Sequence, residues 1–188
     1  MYLARHGETE WSLNGRHTGS TDLPLTERGV QRAAALRARL AGVQFAAVFS
    51  SPMQRARRTA ELAGFPDPQV TDLLREFNYG EYEGLTSAEI RASRPGWEIY
   101  HDGCPGGESP AQVYSRAQQF LDLATSAVGG AEGGNVLAFA HGHILRAVAV
   151  AWLALDITTA SEFRLDVATL SQLAATDRGH EIALWNAP

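Results

Sequence analysis

Arg5-His6-Gly7 is the first place in this chain where residue types and spacing could do chemistry. A neutral imidazole can act as a nucleophile, and an adjacent guanidinium suits a phosphate through paired, planar hydrogen bonds. Gly7 lets the backbone leave a strand sharply and lets a substrate approach closely. A second imidazole, His141, follows the apolar run of residues 135 to 140, much as His6 follows Tyr2, Leu3 and Ala4. Both read as strand-end residues, and ligands of open parallel sheets gather beyond the carboxyl ends of strands. Neighbouring strands lie about 4.8 Å apart, so the two rings could flank one phosphate if their strands pair. Arg55 sits one turn into a helix that follows a third strand, residues 45 to 50. Helical side chains lean toward the N-terminus, which aims Arg55 back at the same edge. Arg57 and Arg58 project from other faces and read as solvated.

An alkoxide is a poor leaving group, so cleaving an alkyl phosphate calls for a proton donor opposite the nucleophile. By chemistry alone Glu8, Glu76, Glu81, Glu83 and Glu108 all qualify. Whichever serves would need a pKa raised by burial or by the negative substrate. His6, His17, His141 and His143 could suggest a metal site, but no Cys or carboxylate spacing completes a ligand set. Neither a metal nor another cofactor is expected.

The elements that must position these groups follow from periodicity. Residues 9 to 25 show none and read as a loop containing Trp11, Arg16 and His17. Thr26 reads as the N-cap of a helix to about Leu40 that buries Val30, Ala33, Ala34, Leu36 and Leu40. Ser51-Pro52 reads as the cap and first turn of the next helix, with Met53, Ala56, Ala60 and Ala63 inward. A short strand at 69 to 71, a packed loop from Glu76 to Leu85, a short helix at 86 to 93 and a loop from 94 to 108 follow. Ser109 and Gln112 form a capping box for a helix burying Val113, Ala117, Phe120, Leu121 and Ala124 and ending near Gly129-Gly130. A strand at 135 to 140, a helix from Gly142 to Leu153 and a hairpin around Asp177-Arg178-Gly179 complete the chain. Strands alternating with helices imply parallel crossovers and a sheet covered on both faces.

At 188 residues the chain fits one domain, expected over 1–188, with enough length to bury a core. A net charge of −5 argues against a general nucleic-acid surface but leaves room for an anionic substrate, because local arginine clustering matters more. The single Cys104 rules out an internal disulfide and fits a reducing compartment. With no leader and no apolar run of membrane-spanning length, a cytoplasmic protein without a membrane partner is expected.

Several blocks together carry a family resemblance. They are Arg5-His6-Gly7-Glu8-Thr9, Thr18-Gly19, Ser51-Pro52-Met53-Gln54-Arg55-Ala56, Leu74-Arg75-Glu76 with Gly80 and Glu83-Gly84, Gly107-Glu108-Ser109, and His141-Gly142-His143. In this order, from Leu3 to about Trp185, the sequence resembles the phosphatase branch of the histidine phosphatase superfamily. The resemblance implies a phosphoglycerate mutase-like α/β fold, a three-layer sandwich whose mostly parallel sheet contains one late antiparallel strand. It implies that His6 attacks phosphorus and becomes phosphohistidine, while Arg5, Arg55 and a protonated His141 stabilise the transferring group. It selects Glu76 as the acid, sets Thr18 and Gly19 beside the phosphate, and makes Glu108 a hydrogen-bond organiser. Ser12, Tyr79 and His143 complete the implied substrate site. Ser12 and His143 both stand where mutases carry Asn.

The expected activity is metal-independent hydrolysis of a phosphomonoester, as in a histidine acid-type phosphatase, on a small phosphorylated metabolite. A cofactor-dependent phosphoglycerate mutase is the alternative, and a non-catalytic phospho-ligand-binding module a more distant one. Residues 85 to 105 are shorter than the mutase insert, with only Arg91, Arg94 and His101 as basic residues, which favours hydrolysis. The substrate is the expected partner, with a homodimer left open.

Overall fold

The computed structural model describes residues 1–129 and 134–188. Its strands are β1 (Tyr2–Arg5), β2 (Phe45–Ser50), β3 (Gln69–Val70), β4 (Asn135–Ala140), β5 (Leu170–Thr176) and β6 (Gly179–Ala187). They form one sheet in the order β3-β2-β4-β1-β5-β6. The first four run parallel; β5 lies antiparallel to β1, and β6 antiparallel to β5. One late strand therefore opposes the rest, as the family resemblance implies.

The helices are α1 (Glu10–Asn14), α2 (Glu27–Leu40), α3 (Gln54–Leu62), α4 (Ser87–Ser93), α5 (Ile99–Asp102), α6 (Pro110–Ala127) and α7 (Gly142–Trp152). Alternation along the central strands divides the core into two layers. Ala4, Leu137 and Phe139 pack with Leu36 and Leu40 of α2 and Ala60 of α3 on one face. Leu3, Val136, Ala138 and Ala140 pack with Val113, Ala117 and Phe120 of α6 and Leu145 and Val148 of α7 on the other. Each such large side chain taken fully out of water contributes about 1.5–3 kcal/mol. Among the described residues no helix is long and apolar enough to cross a membrane.

Local chemistry corrects several sequence expectations. Residues 10 to 14 are helical, because Thr9 and Ser12 form a reciprocal capping box that needs no long-range pattern. Residues 99 to 102 form a further short helix within the expected loop 94–108. Helix α3 starts at Gln54 with Met53 at its cap, so Ser51 is not the cap. On α2, Ala34 is exposed, Val30 is half-buried and Gly29 takes the inward place. Leu121 is half-buried, and α6 ends at Ala127; of its expected Gly129-Gly130 stop, Gly130 lies outside the described residues.

Gly29 and Gly7 show how tightly the turn after β1 is held. A Cβ on Gly29 would lie 2.2 Å from the Glu8 carbonyl oxygen, and one on Gly7 would lie 2.6 Å from the Gly29 oxygen. Thr26 at the start of α2 donates its N–H to the Glu8 carbonyl at 2.9 Å, and the Gly7 N–H donates to the Thr59 hydroxyl at 2.9 Å. In an ordinary helix Gly→Ala gains about 1 kcal/mol. Here Gly29→Ala must displace backbone, and a loss of about 1–3 kcal/mol is expected in urea unfolding. Unchanged or increased stability would contradict this close approach.

Candidate active site

Strand pairing brings the two strand-end histidines together. Arg5 is in register with Ala140, and the His6 N–H donates to the Ala140 carbonyl at 2.9 Å, so His6 and His141 leave adjacent strands side by side. Their ring centroids lie 5.1 Å apart. Residues Arg5, His6, Ser12, Thr18, Glu76, Tyr79 and His143 line a cavity of about 320 Å³ at this edge. Arg55 and His141 lie fully buried behind that wall. A larger groove of about 790 Å³ opens beyond the amino ends of β1 and β4, beside Met1, Asn135 and Trp152, away from these residues.

The His6 Nδ1 lies 2.7 Å from the Gly7 carbonyl oxygen. A carbonyl only accepts, so Nδ1 carries the proton and Nε2 keeps its lone pair. Burial, followed by the charges of Arg55 and Arg5, holds this imidazole well below its ordinary pKa. His6 is thus neutral in one defined tautomer.

His141 is fixed in the opposite tautomer. Arg55 Nε donates to His141 Nδ1 at 3.1 Å, which leaves Nε2–H to donate to the Ser51 hydroxyl at 2.8 Å. Burial and then Arg55 depress its pKa well below the usual value. The protonated His141 expected from sequence is therefore not found; a guanidinium donating to Nδ1 forbids a proton there.

Arg55 also differs from expectation. Its other donors go to the carbonyls of Thr21 at 2.9 Å, Thr18 at 2.9 Å and Gly19 at 3.2 Å. It holds the 18–21 segment from beneath. The Gly19 N–H, expected to border the phosphate, donates to the Glu83 carboxylate at 3.0 Å, and Thr21 N–H to the same group at 2.9 Å. Ser12 lines the cavity, but its hydroxyl is engaged with Thr9 N–H at 2.8 Å and Thr9 carbonyl at 2.9 Å. Arg5 lies across Gly142, where a Cβ would sit 3.2 Å from its guanidinium carbon, and donates to the Leu165 carbonyl.

Glu76 lies under the first turn of α7. It accepts from His143 N–H at 3.0 Å, Ile144 N–H at 2.9 Å and Phe77 N–H at 2.9 Å. Helix N-termini carry unpaired donors and favour negative charge. Burial alone would raise the Glu76 carboxyl, but hydrogen bonding to His143 overrides it. The group sits well below the usual carboxylate range. The raised pKa expected from sequence is not found; the shift runs the other way. His143 Nδ1 meets the Tyr79 hydroxyl at 2.7 Å, and the His17 ring packs on Tyr79 at 4.6 Å.

Glu108 organises the loop that carries Glu76. It accepts from Asn78 N–H at 2.8 Å and takes two hydrogen bonds from Arg116, which also donates to the carbonyls of Leu73 and Arg75. Of the other candidate acids, Glu8 accepts from the Thr26 hydroxyl, Glu83 holds the 18–21 segment and Glu81 is exposed. Sequence reading missed Ser51 as the His141 partner, because Ser-Pro before a helix is an ordinary cap pattern. It also missed Thr59, whose hydroxyl accepts from the Gly7 N–H and donates to the Arg55 backbone carbonyl, and Arg116 beneath the Glu76 loop. No local signal marks a mid-helix Thr or Arg for such work. Among the described residues no three His, Cys, Asp or Glu side chains cluster as a metal site would need.

The family model described as the histidine phosphatase superfamily (branch 1) matches residues 1–188. The chain belongs to that superfamily. It is 42% identical over 173 residues to an acid phosphatase of Mycobacterium tuberculosis, covering 90% of this chain and 83% of the relative. It is 37% identical over 161 residues to a 2,3-bisphosphoglycerate-dependent phosphoglycerate mutase of Gloeobacter violaceus, covering 79% and 73%. The solved structure of a Mycobacterium tuberculosis open reading frame aligns with a TM-score of 0.94 at 38% identity, covering 99% of this chain and 96% of that one. Phosphoryl transfer is the chemistry of this superfamily, so the chain is placed among its enzymes.

The buried neutral histidines link this site to stability. His17, also buried, has its pKa lowered to about 4, by burial first and then by His143. His6, His17 and His141 take up protons on unfolding once the pH falls below about 6.5, their unfolded value. Stability is then fully present above that pH and is lost as acid is added toward their folded values. Each histidine steepens the loss by about 1.4 kcal/mol per pH unit. Urea unfolding between pH 7.5 and 5, above the range where Glu76 titrates, should show this decline; a flat profile would contradict neutral buried histidines.

Proposed function

We propose that the protein is a metal-independent phosphomonoester hydrolase that works through phosphohistidine on a small phosphorylated metabolite. The observation that carries this reading is the His6 tautomer: Nδ1–H anchored on the Gly7 carbonyl and a bare Nε2 at the cavity wall beside Arg5. The phosphoryl group binds against Arg5, and His6 Nε2 attacks phosphorus in line. The P–N bond forms as the ester P–O bond breaks, which divides one difficult displacement into two. Arg55 and His141 act from behind the wall, Arg55 through its charge and its grip on the 18–21 segment, and His141 by holding Arg55.

Glu76 is the proton carrier in this reading. A phosphoryl dianion arriving beside the ionised carboxylate raises its proton affinity, because like charges disfavour both being ionised. The proton taken up on binding passes to the leaving alcohol oxygen. Glu76 then accepts a proton from water, whose oxygen attacks phosphorus and breaks the P–N bond. Inorganic phosphate leaves and His6 recovers its lone pair.

Hydrolysis is favoured over mutase activity by the segment from residue 85 to 105. Arg91 is paired with Glu98 at 2.5 Å, Arg94 with Asp102 at 2.9 Å, and His101 is exposed. That segment offers no unengaged cation to retain a bisphosphate for retransfer. A panel of phosphomonoesters assayed with EDTA tests the reading: inorganic phosphate should be released at an unchanged rate. Loss of turnover restored by zinc or magnesium would overturn it, and so would transfer between phosphoglycerates in place of release.

The leaving group isolates the role of Glu76. Glu76→Gln should cripple the phosphorylation burst with an alkyl phosphate, and impair it far less with p-nitrophenyl phosphate, whose phenolate departs unaided. General acid catalysis is worth about 10²–10⁴-fold, so the two losses should differ on the order of tenfold or more. Equal losses would mean that Glu76 shapes the site without donating a proton.

A further inference from the structure

Four arginines line the cavity: Arg5, Arg16, Arg91 and Arg146. Three are engaged by the protein. Arg5 donates to the Leu165 carbonyl, Arg16 to the Gly84 carbonyl at 2.6 Å, and Arg91 to the Trp97 carbonyl at 3.0 Å as well as to Glu98. Arg146 differs from all of them. Among the described residues it makes no hydrogen bond or ion pair at all, and its Nε, like that of Arg5, is buried without a partner. A buried donor left unsatisfied is costly, and an arginine aimed into a cavity offers a rigid fork suited to a carboxylate or phosphate.

Its position is defined by α7. Arg146 follows Gly142 by four residues and His143 by three, so the three share one face of the helix. Arg5 lies across Gly142 on that same face. The two guanidinium groups are close enough for Arg146 to lower the Arg5 pKa, although burial of Arg5 is the larger cause. About one helical turn, 5.4 Å, separates the two levels along the axis. A cavity holding two such cations, one engaged at the reacting phosphoryl group and one unengaged beyond it, is matched by an occupant with two anionic ends. Ser161, which also lines the cavity, adds a hydroxyl to its wall.

We propose that Arg146 forms a distal anion subsite, so that the preferred substrate is a small phosphomonoester bearing a second anionic group across a short carbon bridge. This assignment builds on the hydrolase reading, with the reacting phosphoryl group at Arg5 and His6. The second anion stays on the alcohol product. A carboxylate and a second phosphate share the chemistry that Arg146 recognises, and the experiment separates them.

The test compares kcat/KM for 3-phosphoglycerate with that for glycerol 3-phosphate, which differ by a carboxylate in place of a hydroxymethyl group. The bisphosphate of 1,3-propanediol forms the third arm, and Arg146→Gln and Arg146→Lys are the variants, each checked for native circular dichroism. The wild type should prefer at least one dianionic-ended substrate by on the order of tenfold or more, mainly through KM, as a charged hydrogen-bonded pair commonly provides. Preference for 3-phosphoglycerate identifies a carboxylate, and preference for the bisphosphate alone identifies a phosphate. Arg146→Gln should reduce the preference to about one, while Arg146→Lys, which keeps the charge, should retain part of it. No preference in the wild type, or a preference that survives Arg146→Gln, would overturn the subsite. If no ester is turned over, p-nitrophenyl phosphate included, the hydrolase reading fails instead. The subsite is then decided by calorimetric titration of 3-phosphoglycerate, which must bind the wild type more tightly than Arg146→Gln; equal binding overturns it.

Discussion

The parallel pairing of β1 with β4 is the constraint on which the site depends. The register runs from Tyr2 opposite Leu137 to Arg5 opposite Ala140 and ends with the His6 N–H donating to the Ala140 carbonyl, which places two imidazoles at one sheet edge. A one-residue slip would turn every side chain of a strand to the opposite face. It would exchange the layers of Leu3 and Ala4 and carry His6 away from His141. Burial of those alternating faces therefore fixes the chemistry: the α2–α3 layer and the α6–α7 layer each accept only one set of side chains.

Within that frame, charge is placed by groups that cannot titrate. Backbone carbonyls select the His6 tautomer and hold the Arg55 guanidinium, and backbone N–H groups of α7 hold Glu76 ionised. Peptide dipoles are present before any ligand arrives, so no reorganisation is needed to ready His6 for the proposed attack. The buried histidines are kept neutral by desolvation and nearby arginines, which is the state an imidazole needs to attack phosphorus. Stability is surrendered in acid as a consequence, since the unfolded chain can protonate those same rings.

Much of this was legible in the chain. The runs at 45–50 and 135–140, the Thr26 and Ser109 caps and the Gly142 helix are local signals, and each appears as an element in the expected place. Motif blocks identified the residues around the cavity, because a family's order of blocks records long-range proximity that periodicity cannot. What escaped was set by contacts distant in sequence or by chemistry within a single turn. Helix α1 rests on one Thr9–Ser12 capping box inside a stretch without hydrophobic period. Ser51 looks like a helix cap until β4 brings His141 to its hydroxyl. The proton states of His141 and Glu76 depend on Arg55 and on the start of α7, which lie 86 and 67 residues away from them respectively. Arg146 is one more basic residue on an apolar helix until the cavity shows it facing inward without a partner.

In the proposed mechanism the Gly7 carbonyl, by holding Nδ1–H, leaves His6 Nε2 as the attacking atom. The most direct measurement is the position of phosphate on a trapped phosphoenzyme, read by phosphorus NMR and by mass spectrometry of the labelled peptide. An acid-labile phosphoramidate is expected on Nε2 of His6. Phosphate on Nδ1, on His141, or on a serine or carboxylate would contradict it.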